Sequence, residues 1–312
     1  MAQYDLAIIG GGPAGLTAGI YASRARMETI LFEREATGGQ MAITDRIENY
    51  PGMVGGALGP ELADKMQSQA EEVGLKTERA EVVGIKKSDK GFLLNTSDGK
   101  EVDALTVIMA TGAKWNKLGI PGEDKLRGKG VSYCATCDGP MFRNKELIVV
   151  GGGDQAVKEA LYLSRFASKI SLVHRRDRLR AEKILQEKIL ADKKIECVWE
   201  STVIEILGKD RVEGVKISDV ESGKKSQISA QGVFIFVGMS PNAAFVKDLL
   251  KLDAKGYILT DADMRTSHKG IFACGDVRQK ALRQIVTAVG DGATAAFSAQ
   301  HYVEELKGTA YK

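Results

Sequence analysis

Two glycine-rich turns, each entered from a short apolar strand and left through a helix, limit what this chain can fold into more than any other feature. The first turn carries Gly10, Gly12, Pro13, Ala14 and Gly15, between a strand predicted over residues 4–9 and a helix predicted over 14–26. A second strand follows at 28–32 and ends in Glu33. Each residue type has a task. Gly10 permits the tight turn, Gly12 lets a pyrophosphate approach the backbone, and Gly15 lets helix and strand pack closely. The phosphates then rest on the helix N-terminus, where free N–H groups and the macrodipole favour negative charge. Glu33 is placed to accept hydrogen bonds from a ribose diol.

The pattern repeats at a strand predicted over 147–150, which enters Gly151, Gly153, Asp154, Gln155 and Ala156. Alanine in place of the third glycine is a variant the turn tolerates. A helix over 154–166 leads to a strand over 169–173, but that strand ends in His174, Arg175 and Arg176, with Arg180 close behind. An acid at this point repels a 2′-phosphate, whereas arginine offers a planar fork that binds one. The alternative for the basic run is a solvated surface. The contrast with Glu33 predicts an unphosphorylated adenosine ribose at the first site and a phosphorylated one at the second, which suggests FAD and NADPH respectively.

The 312 residues suffice for two domains. A net charge of +3 on a chain this long gives no general nucleic-acid surface. The longest apolar runs, at 147–150 and 233–237, fall far short of the roughly 20 residues that span a membrane. The N-terminal residues run straight into a strand without the pattern of a signal peptide, so a cytoplasmic location is expected. Four cysteines are present. Cys197 and Cys274 read as buried, inert thiols. Cys134 and Cys137 form a CxxC pair between the two turns, with Asp138 beside the second thiol. CxxC spacing lowers the pKa of one thiol, and the thiolate is the species that exchanges with disulfides. As half of a zinc site the pair lacks partners, since structural zinc takes four ligands and the three histidines show no ligand spacing. No metal is expected.

A strand over 269–274 ends in Gly275 and Asp276, and residues 283–293 open a long small-residue helix. This segment carries no glycine fingerprint of its own, so it is expected to fold back onto the N-terminal unit. The reading is an α/β chain of two Rossmann-like dinucleotide-binding domains, of the FAD/NAD(P)-binding three-layer ββα type, the FAD domain being discontinuous. Its expected limits are 1–115 with 243–312 for the FAD domain, and 116–242 for the NADPH domain with the CxxC pair.

With these residues together, the chain resembles the low-molecular-weight, bacterial-type thioredoxin reductases over nearly its full length. The resemblance rests on both fingerprints, on Gly38-Gly39-Gln40, on Glu48 to Gly52 and on Ala110-Thr111-Gly112. It continues through the CxxC-Asp run, the His174-to-Arg180 cluster, Gly275-Asp276 and Arg283-Gln284. It implies that Gly275 and Asp276 contact the flavin ribityl and pyrophosphate region. Gly39, Gln40, Asn49, Thr111, Gly112, Arg283 and Gln284 are then part of the FAD site, with the positive end of the helix around Ala288 directed at the flavin. Gln155 departs from the smaller polar residue usual in the family.

The resemblance further implies electron flow from NADPH through FAD to a Cys134–Cys137 disulfide and on to thioredoxin or a thioredoxin-like protein. It implies a rotation of the middle domain and a homodimer as well. Asp138 is expected to move a proton in the exchange, its alternative being an N-cap of the next segment. Which cysteine faces the flavin stays open, with Cys137 preferred because Asp138 adjoins it. The alternative function is a related NAD(P)H-dependent disulfide reductase serving a peroxidase-system or glutaredoxin-like carrier.

Overall fold

The computed structural model describes residues 3–44, 46–47, 49–89 and 91–310, with the side chains of Gln3, Arg46, Thr136 and Cys137 outside that description. Contacts divide the chain into two compact units, Met1–Lys114 with Ser240–Lys312, and Trp115–Met239. The two crossings, Ala113–Trp115 and Met239–Pro241, pair as a two-stranded ribbon. Relative to the expected limits, Ser240, Pro241 and Asn242 fall in the first unit and Trp115 in the second. The cause is local. Asn242 donates its backbone N–H to the Gly112 carbonyl at 3.0 Å and its side-chain amide to the Thr111 carbonyl at 2.9 Å.

In the first unit, Lys76–Arg79, Thr29–Glu33, Gln3–Ile9 and Glu101–Met109 lie side by side and parallel. Ile271–Ala273 pairs with the last residues of Glu101–Met109, while the hairpin Val82–Ser88 and Gly91–Thr96 pairs with its first. Strand side chains alternate between faces, and here both faces are covered. Leu6, Ile8, Leu31 and Ile108 pack with the helices Pro13–Arg24, Gly59–Glu72 and Ile285–Lys307. Ala7, Ile9, Phe32, Val107 and Met109 pack against Phe92, Leu94, Val246 and Ile258. Double burial is why residues 6–9, 30–32 and 107–109 read as apolar runs, whereas Lys76–Arg79 at the sheet edge is polar and largely exposed.

Element ends differ from the sequence reading for identifiable reasons. The first helix starts at Pro13, where a missing N–H costs nothing, and stops at Arg24; Arg26 turns out of it at φ 60°. Glu33 is the last residue of its strand, and the strand expected over 269–274 is only Ile271–Ala273. The C-terminal helix opens on a capping box between Gln284 and Thr287 and closes on left-handed Gly308.

The second unit repeats the plan. Its parallel sheet runs Val131–Ser132, Gly232–Ile235, Glu146–Val150, Lys169–Val173, Ile195–Val198. Leu147, Val149, Leu172 and Phe234 face the helices Asp154–Leu163 and Lys183–Ala191. Ile148, Val150, Val173, Val233 and Ile235 face an antiparallel sheet of Ser201–Leu207, Gly214–Asp219 and Lys225–Ser229. The helix expected to reach residue 166 ends at Leu163 because Lys194 Nζ donates to the Ser164 and Ala167 carbonyls, at 2.9 and 3.0 Å.

Glu159, on the Asp154–Leu163 helix, has no hydrogen bond or ion pair among the described residues, and burial pushes its carboxyl up to about 7. A raised carboxyl favours the fold while protonated, so this contribution is full below about pH 4.5 and is lost as pH rises through 7. Glu159→Gln is therefore expected to stabilise the protein by about 2 kcal/mol at pH 8. Urea unfolding at stepped pH checks this, the gain shrinking towards zero as pH falls to 4.5.

Candidate active site

Four strands of the first unit run in register at this edge, Ile9 beside Phe32 and Met109, and Met109 beside Ala273. The loops after them therefore leave one sheet edge together, the edge at which open α/β sheets bind ligands. Gly10 turns the chain at φ 109°, a value that suits glycine. A Cβ on Gly15 would overlap the Gly10 carbonyl, so the helix approaches the strand as closely as backbone permits. Glu33 accepts the Gly11 N–H at 2.7 Å through Oε2 and the Glu35 N–H at 3.0 Å through Oε1. Its carboxylate is thus fixed beside the turn.

The other expected residues gather around this turn. Gly39 lies against the α-carbon of Gly12, and Gly275 sits beside the side chains of Ala14 and Ala288. Gln40 donates to the Ala113 carbonyl at 3.4 Å, Thr111 to the Asn242 carbonyl at 2.7 Å, and Asn49 to Gln284 Oε1 at 2.8 Å. Glu48 lies outside the described residues. Asp276 Oδ1 and Arg283 Nε are buried without a hydrogen-bond partner among the described residues, and burial raises the Asp276 pKa. A Cβ on Gly12 or Gly112 would meet nothing within 4 Å. An open glycine cradle with unsatisfied polar groups nearby fits a dinucleotide. Ala288 donates its N–H to the Gln284 carbonyl, so the free donors of that helix precede it and Ala288 contributes a buried methyl.

Asp291, which the sequence reading passed over, holds the loop after Ile271–Ala273. It accepts the Gly275 N–H at 3.1 Å, Arg278 at 3.1 Å and Lys280 at 2.8 Å, and all three side chains are largely buried. Losing one partner of such a buried group costs about 3–5 kcal/mol. In sequence an acid within a small-residue helix looks like a solvated position; its partners lie eleven and thirteen residues upstream.

At the second turn Gly151 takes φ 149° and donates to the Val173 carbonyl at 3.1 Å. The basic segment is strapped to this turn. Arg180 donates its backbone N–H to the Gly152 carbonyl at 2.7 Å, and Glu182 donates its own to Asp154 Oδ1 at 2.7 Å. His174 is buried under Gly152, with Nε2 lacking a partner. Burial, then the charges of Arg180, Arg176 and Arg175, lower its pKa and keep the ring neutral. Arg175, Arg176 and Arg180 are exposed and unpaired among the described residues. A Cβ on Gly153 would meet nothing within 4 Å; Gln155 is partly buried in the first helical turn, and Ala156 is fully buried. Four unsatisfied cationic or polar groups beside an open turn fit a phosphorylated dinucleotide.

Cys134 is disulfide-bonded, while Cys197 and Cys274 are free. Cys134 precedes the short helix Ala135–Asp138, and its carbonyl accepts the Asp138 N–H at 3.2 Å. Ser132, also missed in sequence, accepts the Cys134 N–H at 3.0 Å and donates to the Cys134 carbonyl at 3.1 Å. The side chain of Cys137 lies outside the described residues. Asp138 makes no side-chain cap on the following 3-10 turn, so the capping alternative is withdrawn. Cys274 is fully buried, as expected, but Cys197 is only half-buried; burial raises both thiol pKa values. Among the described residues no helix is long and apolar enough to cross a membrane.

The model of the pyridine nucleotide-disulphide oxidoreductase family matches residues 4–292. A thioredoxin reductase of Listeria monocytogenes is 50% identical over 305 residues, covering 97% of this chain and 95% of that one. One of Bacillus subtilis is 48% identical over 307 residues, covering 98% and 96%. The solved thioredoxin reductase of Lactococcus lactis, in a form called the FR conformation, matches with a TM-score of 0.91 at 48% identity, over 97% of this chain and 99% of that one. That of T. acidophilum matches at 0.88 and 35% identity, over 98% and 100%. Two dinucleotide cradles, a disulfide-bonded Cys134 and these full-length likenesses lead to one conclusion: the chain belongs to the bacterial-type thioredoxin reductases, flavoproteins that use FAD and NADPH to reduce a protein disulfide.

Proposed function

We propose that this chain is an NADPH-preferring thioredoxin-disulfide reductase that holds FAD in its first unit and NADPH in its second, and acts through Cys134 and Cys137. One observation carries the cofactor assignment. The strand-end acid of the first unit is fixed by two backbone N–H groups as an acceptor, whereas the second unit presents three exposed, unpaired guanidiniums at the corresponding place. An acceptor suits a ribose diol; a guanidinium cluster suits a 2′-phosphate.

In the first unit the Gly10–Gly15 turn and helix N-terminus take the pyrophosphate and Glu33 the ribose. Asp276 Oδ1 and Arg283 Nε, which burial leaves unsatisfied, offer FAD an acceptor and a donor. Bound there, FAD supplies the two-electron chemistry that links NADPH to the disulfide. In the second unit the Gly151–Ala156 turn takes the pyrophosphate, and His174, Arg175, Arg176 and Arg180 take the 2′-phosphate. Once the Cys134–Cys137 bond is reduced, one thiolate attacks the disulfide of thioredoxin to give a mixed disulfide. The other cysteine then displaces reduced thioredoxin, and the original bond re-forms. Asp138, adjoining Cys137 and not engaged in capping, accepts and returns the proton of the attacking thiol.

A cytoplasmic homodimer completes the reading. Val286 and exposed Phe297, stacked edge-on against His301, share one face of the C-terminal helix, which supports a self-complementary surface; sedimentation velocity distinguishes dimer from monomer.

Two outcomes test the chemistry. Cys134→Ser is expected to abolish turnover of thioredoxin disulfide while flavin bleaching by NADPH persists in anaerobic titration; turnover at the wild-type rate would exclude the assignment. Arg176→Ala and Arg180→Ala are each expected to lower kcat/KM for NADPH about 10–100-fold, the worth of one charge-assisted bond to phosphate, and to leave NADH nearly unchanged. Steady-state kinetics with both nucleotides reads the difference, and equal losses with both would remove the 2′-phosphate role.

A further inference from the structure

Ten residues upstream of Tyr133, a buried carboxylate joins two parts of the second unit. Glu123 is 2% exposed. Its Oε1 accepts the Leu118 N–H at 2.9 Å and the Tyr133 hydroxyl at 2.5 Å. Its Oε2 accepts the N–H groups of Gly119 at 2.7 Å and Ile120 at 3.4 Å. Three backbone donors thus pin this carboxylate to the segment that follows the first crossing, and the fourth donor is the side chain immediately before Cys134. Leu118, Ile120 and Tyr133 also pack on one apolar cluster, and Arg127 lies over the Tyr133 ring at 5.7 Å. Burial and the carboxylate raise the phenol pKa far above its usual value, so this side chain is a fixed donor and not a proton carrier.

The cysteine itself is held from the other side. Ser132 is 5% exposed, and its hydroxyl engages both the N–H and the carbonyl of Cys134. With Tyr133 tied to Glu123 and the Cys134 peptide clasped by Ser132, the backbone that carries the sulfur has little freedom. The stability of a disulfide reflects the effective concentration of its two thiols, and that concentration rises as the thiols are held closer to bonding geometry. Reduction adds two electrons and two protons, breaks one S–S bond and forms two S–H groups, so the sulfurs move apart to van der Waals distance. A restraint satisfied in the oxidised turn opposes that movement.

We propose that Tyr133, fixed by the buried carboxylate of Glu123, is a positioning residue for the Cys134 disulfide that makes the disulfide harder to reduce. The proposal rests on Cys134 and Cys137 being the redox pair. It goes beyond that reading by assigning the tuning of the pair to a hydroxyl–carboxylate contact.

The test is the equilibrium of the holoenzyme with dithiothreitol buffers, in which dithiothreitol gives up two electrons and two protons and closes to its cyclic disulfide. Samples are acid-quenched, unfolded and tagged with a maleimide, and thiols are counted by mass; Cys197 and Cys274 add a constant background. Tyr133→Phe is expected to shift the half-reduction point about tenfold towards less reducing ratios, a change of about 30 mV. Glu123→Gln should shift it in the same direction, and the double variant no further than Tyr133→Phe alone. Glu123 keeps its three backbone donors in Tyr133→Phe, so that variant carries the test if Glu123→Gln does not fold. An unchanged half-reduction point in Tyr133→Phe, with or without a lowered Tm, overturns the proposal, as does an additive double variant. A wild-type Cys134–Cys137 pair that NADPH leaves oxidised would instead overturn the redox assignment beneath it.

Discussion

The carbonyl of Gly10 occupies the space where a side chain on Gly15 would begin, and the first site depends on that contact. It sets the height of the first fingerprint helix above the sheet, and hence the distance from its free N–H groups to the strand ends. A second close approach fixes the same helix laterally, since a Cβ on Gly292 would overlap the Ala14 carbonyl. The helix is clamped at one turn from below and from the side. Interiors are packed too densely to absorb a misplaced methyl group without displacement of backbone. The residues that gather around Gly12, from Glu33 to Gly275, are therefore held by backbone geometry before any side-chain bond is counted.

The two units show how one plan carries two chemistries. Both place a glycine turn at the carboxyl ends of parallel strands, with helices on one face and a second β layer on the other. They differ in the residue that ends the neighbouring strand. In the first unit the protein itself supplies the partners of Glu33, so backbone N–H groups orient that carboxylate. In the second, Arg175, Arg176 and Arg180 are exposed and His174 is buried against Gly152, its pKa lowered by burial and by their charges. Orientation from within and charge left unpaired are two ways to prepare a site for a ligand.

Much of this could be read from the chain, and what could not has a common cause. The fingerprints, Glu33, the arginine cluster and the return of the C-terminal segment each depend on residues a few positions apart or on doubly buried strands. Helix ends were misjudged where a distant side chain decides them, as Lys194 does for the carbonyls after Leu163. Asp291 and Glu123 were missed for the same reason. A buried acid is recognisable only once its donors are known, and those of Asp291 come from a loop before its helix, those of Glu123 partly from Tyr133, which follows the strand Val131–Ser132. Ser132 lies two residues from Cys134, yet a serine at a strand end carries no signal until its hydroxyl is seen to grip a peptide.

The ribbon formed by Ala113–Trp115 and Met239–Pro241 bears on how the chain reaches its fold. Residues on paired strands lie about 5 Å apart, so the second unit, once folded, presents its two ends as neighbours. The strand Ile271–Ala273 must find Glu101–Met109 across the whole intervening sequence. With that sequence unfolded, the search carries the closure entropy of a very long loop. With it folded, the loop is reduced to residues 110–112 on one side of the ribbon and 242–270 on the other. By closure entropy alone, assembly from the inside outward is the cheaper order.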